Sequence, residues 1–80
     1  MKPVEFTRVS RKHRVGRASA RYVMATTEPV ESTHVGTRAR RRTWTGEDER
    51  RRELEIVAIE RPDCWLVNHV MPTRYRRSEP

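Results

Sequence analysis

The residues best equipped for chemistry stand at the C-terminal end of the chain, in His69-Val-Met71-Pro-Thr-Arg74-Tyr75-Arg76-Arg77. An apolar run stops at Pro72, and three arginines and a tyrosine follow. Arginine offers a rigid, permanently charged fork of donors to phosphate oxygens. Tyrosine offers a flat face for a base and a hydroxyl at its tip. His69, just upstream, carries an imidazole, the side chain suited to passing a proton near neutral pH. Together they predict an RNA-handling edge in which His69 is a general acid or base. The competing readings are a partly buried structural histidine and a solvated basic tail.

Other chemistries lack their signatures. His13, His34 and His69 have no His, Cys or carboxylate partner at a metal-ligand spacing, and His69 and Cys64, five apart on a strand, are expected on opposite faces. The three glycines are isolated, so there is no phosphate-cradling loop, and no Gly-x-Ser-x-Gly elbow is present. No metal or cofactor is expected. The single cysteine, Cys64, excludes an internal disulfide and reads as a small buried hydrophobe.

Charge points to partners. The formal net charge is +7, from 18 Lys and Arg against 11 Asp and Glu, and all but Lys2 and Lys12 of the 18 are arginine. A small body this basic attracts RNA, DNA or an acidic protein. Arginine clusters fall at 38–42, 50–52 and 74–77. Within the first, Arg40, Arg42 and Trp44 share one face of a strand, where the arginines reach phosphates and Trp44 either stacks a base or covers the edge of the core. The lack of an apolar leader or a membrane-length apolar run predicts a cytoplasmic protein without membrane contact.

Eighty residues predict one domain, 1–80. Val4 to Val9 reads as a short strand or the lead into a helix, and Ser10 to Arg14 as a short helix or turn. Arg17 to Thr27 has helical spacing through Val15, Ala18, Tyr22 and Ala25, widened by Val23 and Met24, and ends before Pro29. Period-two segments follow at Val30 to Val35 and Arg38 to Thr45, then a charged loop at 46–49. Leu54 to Ile59 is β-branched and nearly all apolar, which suits a central strand. Arg61-Pro62-Asp63 carries turn chemistry and joins it in a hairpin to Cys64–Val70, where His69 is expected to share a face with Trp65, Val67 and Met71. The last eight residues read as a basic tail or short helix. The fold class is α+β, with N-terminal helices packed on one face of a roughly four-stranded antiparallel meander.

Lys12-His13 before a helix, the strand meander, and the ending His69-x-Met71-Pro72-Thr73-Arg74-Tyr75-Arg76-Arg77 together resemble the BrnT-like toxins of the RelE/ParE group of type II toxin–antitoxin systems. Arg14 stands where that pattern has Gly. The resemblance implies helices on an antiparallel sheet and metal-independent cleavage of mRNA, free or on the ribosome, by attack of the RNA's own 2′-hydroxyl. It also implies a cognate antitoxin that covers the basic face in a hetero-oligomer. Carried over by position, the implied catalytic residues are Lys12, His13, Arg74, Tyr75 and Arg77, with His69 or His13 moving the proton. Arg40, Arg42, Arg76 and Trp44 are the expected nucleic-acid contacts. The rival readings are a non-catalytic basic module that binds RNA, DNA or an acidic protein, and a degenerate toxin that only binds its antitoxin.

Overall fold

The computed structural model describes residues 2–8, 10, 15–33 and 40–74. Within them the elements are β1 (Val4–Phe6), α1 (Arg17–Thr26), β2 (Val30–Thr33), β3 (Arg40–Glu47), β4 (Glu53–Glu60) and β5 (Trp65–Pro72). They form one five-stranded sheet in the order β1-β5-β4-β3-β2. β2 to β5 are the expected antiparallel meander. The rest of the expectation is corrected. The sheet is mixed, because β1 lies parallel to β5 at its edge, with Val4 opposite Trp65 and Phe6 opposite Val67. One helix, not several, is present among the described residues. The Ser10–Arg14 segment lies outside them except for Ser10, which closes a turn on Thr7.

β4 is the central strand. Leu54, Ile56 and Ala58 are completely buried on one face, while Glu55, Val57 and Ile59 point to the other. The hairpin to β5 forms as its turn chemistry predicts: Glu60 pairs with Trp65, and the Arg61 amide donates to the Cys64 carbonyl at 2.9 Å. β5 departs from simple alternation. Val57 faces His69 but Ala58 faces Val67, so Asn68 is the extra residue of a β-bulge. Trp65, Val67, Val70 and Pro72 are therefore the buried set, and His69 falls in the other phase with Leu66 and Met71, not with Trp65 and Val67. The same shift of phase removes the basis for placing Cys64 and His69 on opposite faces.

The helix covers β3 and β4. Its buried positions are Ser19, Ala20, Val23 and Met24, whereas Ala18, Tyr22 and Ala25 are exposed. The stripe is thus rotated from the expected one toward the bulkier Val23 and Met24. Ser19 tolerates burial because its hydroxyl donates to Glu49 at 2.6 Å, which ties the helix to the β3–β4 turn. At the other end Thr27 closes the helix, donating its amide at 3.1 Å and its hydroxyl at 2.7 Å to the Val23 carbonyl. β3 runs on through Gly46, expected in a loop, because this strand position passes directly beneath Thr27 and has no room for a side chain. A core of Val15, Ala20, Val23, Met24, Trp44, Leu54, Ile56, Ala58, Trp65, Val67 and Val70 fills the space between helix and sheet, flanked by Val4 and Phe6.

Two substitutions test this packing. Ile56→Ala, at a site with no exposure, is expected to cost about 2–4 kcal/mol in urea unfolding. Gly46→Ala, whose new Cβ would strike the Thr27 methyl, is expected to cost about 1–3 kcal/mol. A cost near zero at either position would place the core elsewhere.

Candidate functional site

Among the described residues one helix covers one face of the five strands, and the sheet face away from α1 is where side chains can meet a ligand. Its middle is built by three strands. β4 contributes Glu55 and Val57, β5 contributes Asn68 and His69, and β3 contributes Arg41, around an open depression of about 360 Å³. Antiparallel pairing puts Val57 directly opposite His69 and leaves Glu55 on the diagonal, so that His69 Nε2 stands 3.3 Å from Glu55 Oε1. This is an ion-pair approach rather than an aligned hydrogen bond. Both side chains are partly sheltered, at 34% exposure for His69 and 15% for Glu55. The Asn68 bulge is what turns the imidazole toward this face. A carboxylate, an imidazole and a guanidinium on one sheet surface can accept a proton, donate a proton and stabilise an anionic phosphate.

Sequence reasoning named His69 but not Glu55 or Arg41 as site residues. The available signal was Glu55 itself, a charge set within the apolar Leu54–Ile59 run. A carboxylate inside a central strand needs a partner, and the fold supplies His69.

The expected nucleic-acid contacts of β3 are placed differently. Trp44 is 4% exposed and meets Trp65 edge to face, with ring centroids 5.7 Å apart, so it belongs to the core and not to a base-stacking surface. Arg42 lies over the Trp65 ring at 4.7 Å and reaches Glu31 at 3.5 Å, and Arg40 approaches the same carboxylate at 3.8 Å. Arg40 remains exposed. Lys2 sits over Trp65 at 5.4 Å and binds Glu60 at 2.8 Å; that hydrogen bond, more than the nearby Arg42 and Arg40, holds the Glu60 carboxyl below its ordinary range. Arg74 is exposed just beyond the end of β5. Lys12, His13, Tyr75, Arg76 and Arg77 lie outside the described residues. No group of three or more His, Cys, Asp or Glu among the described residues is placed to hold a metal ion. Burial, then the nearby Asp63 and Glu5 carboxylates, pushes the Cys64 thiol up, consistent with a buried side chain rather than a nucleophile.

The second arginine cluster is organised by a buried aspartate. Asp48 Oδ1 accepts the backbone amides of Arg50 and Arg52, and Oδ2 accepts Nε and Nη2 of Arg52, all at 2.9 Å. Burial alone would raise this carboxyl, but those amides and the guanidinium outweigh it and hold it below its ordinary value of 3.8.

No family model, curated protein or solved structure matches the chain.

The lowered Asp48 carboxyl has a signed consequence. A depressed carboxyl contributes stability that is complete above its unfolded value and is lost as pH falls through the folded one. The wild-type chain is therefore expected to lose stability on acidification below about pH 4, near the ordinary carboxyl value of 3.8. Asp48→Asn should be less stable at pH 7 and lose less over that interval, as measured by urea unfolding at several pH values. Parallel pH profiles would show that Asp48 is not a major contributor to acid loss.

Proposed function

We propose that this chain is an endoribonuclease that cleaves RNA through the RNA's own 2′-hydroxyl, acting as the toxin component of a type II toxin–antitoxin pair. The observation that carries the reading is the 3.3 Å pairing of His69 with Glu55 beside Arg41 in one open depression. The fold departs from the all-antiparallel arrangement that the toxin resemblance implied, so cleavage rests on the site, and the toxin role on the short motifs and the charge of +7.

Glu55, as carboxylate, takes the 2′-hydroxyl proton, and the freed oxygen attacks the adjacent phosphorus. The bond from phosphorus to the 5′-oxygen breaks, and protonated His69 gives its proton to that leaving oxygen. The products are a 2′,3′-cyclic phosphate and a 5′-hydroxyl. Arg41 faces the charge that grows on the phosphoryl oxygens. Arg74, with Arg77, holds flanking phosphate. Partners follow from the same reading: RNA, free or on the ribosome, and an acidic antitoxin covering the basic surface in a hetero-oligomer. The compartment would be the cytoplasm; no helix among the described residues is long and apolar enough to cross a membrane.

A binding module without catalysis is the second reading, favoured by the arginines that α1, β3 and the β3–β4 turn carry. It predicts RNA affinity that falls steeply with salt and leaves RNA intact. The deciding experiment is induced expression, scored for growth arrest and RNA cleavage, with the purified chain assayed in parallel. The wild type should cut RNA to cyclic-phosphate ends. His69→Gln and Glu55→Gln should each lower the rate by about 100-fold or more, the usual weight of a positioned acid or base. Intact RNA, or full cleavage by both variants, would leave the binding module as the reading.

A further inference from the structure

The β3–β4 turn brings Arg50–Arg52 to the end of the sheet where β5 stops, so Arg51 and Arg52 meet Arg74, which is far from them in the chain. Between them is a notch of about 350 Å³ lined by Arg51, Arg52, Glu53, Pro72, Thr73 and Arg74. Its shape is fixed rather than adaptable. Asp48 grips Arg52 through Nε and Nη2 and leaves the other guanidinium donors for a ligand. Thr73 Oγ1 lies 2.5 Å from Glu53 Oε1, which ties the end of β5 to the start of β4 and holds the Glu53 carboxylate.

Arg51 is the telling residue. It has a φ of 62°, the left-handed region, and no other described non-glycine residue has a positive φ. Glycine takes this conformation freely, whereas a residue with a Cβ is disfavoured there. An arginine in a conformation that glycine takes freely points to a use for its side chain, and the notch it lines supplies one.

We propose that this notch is a phosphate-binding site that takes a backbone phosphate of single-stranded RNA. It stands on its own geometry and holds whether or not the His69–Glu55 pair cuts. Arginine forks match phosphate oxygens, and an open notch suits a group carried on a chain. The site lies about 10 Å along the β4–β5 ladder from His69, since Pro72 is three residues on and a strand rises about 3.3 Å per residue.

The test uses the full chain, a short oligouridylate and amide chemical-shift mapping. The oligonucleotide is expected to shift the amides of Arg51, Arg52, Thr73 and Arg74, and inorganic phosphate is expected to compete with it at the same amides. Arg51→Gly separates use from folding. It should raise the melting temperature by about 4–8 °C by relieving the left-handed strain. It should also weaken oligonucleotide binding about tenfold, the worth of a charge-assisted contact, and reduce the salt slope by about one. Unchanged affinity in Arg51→Gly, no shift at these amides, no competition by phosphate, or tighter occupation by an acidic peptide would each overturn the proposal. The RNA-cleavage assay of His69→Gln reads the other site, so failure here is distinguishable from failure there.

Discussion

Everything in this molecule follows from the pairing of β4 with a neighbour on each side. That pairing makes Glu53–Glu60 a strand with two unlike faces. Leu54, Ile56 and Ala58 lie toward the only described helix and are fully buried. Glu55, Val57 and Ile59 lie on the face that the helix does not cover. A ten-residue helix can shield one side of a sheet, and burying that side is what offsets the entropy of ordering so short a chain. The opposite side is left to other uses, and it is there that carboxylate, imidazole and guanidinium come together.

The positive charge is distributed in the same divided way. On the helix side, cations are built into the structure: Lys2 and Arg42 lie over Trp65, and Glu60 and Glu31 partner them. At the β3–β4 turn, Asp48 fixes Arg52 from below with its carboxylate buried. A count of arginines therefore overstates the freely usable charge. What distinguishes Arg41 from Arg42, its neighbour in sequence, is only strand alternation. One lines the open depression and the other packs on an indole.

Much of the local structure was legible in the sequence. The apolar β-branched run at 54–59, the Arg61-Pro62-Asp63 turn and the helix ending before Pro29 are local signals, and each element formed where it was expected. The misreadings were non-local. Val4–Phe6, offered as a short strand or the lead into a helix, is a strand, but its parallel place beside a segment some sixty residues later is encoded by no local pattern. The helix stripe was read from spacing alone, but which side is buried depends on what lies beneath it, including Gly46 and Glu49. In the site, His69 was legible as a residue type. Its partner Glu55 was not, because a diagonal contact between strands depends on register.

Register here turns on Asn68. Without the extra residue, strict alternation would give His69 the phase of Trp65 and Val67, which face the core. An imidazole there would need a buried hydrogen-bond partner, and Glu55 would lose His69 as its diagonal neighbour on the other face. The bulge instead moves His69 into the phase of Met71, and it keeps Val70 and Pro72 buried so that the core continues to the end of the strand. One inserted residue thus resolves two demands on β5, a continuous apolar face and a titratable group on the opposite one. Bulges recur beside functional sites because they re-aim a side chain without breaking the sheet. That a bulge falls next to the histidine paired with the buried-strand glutamate is the strongest structural reason to read the pair as a site rather than as an ordinary surface ion pair.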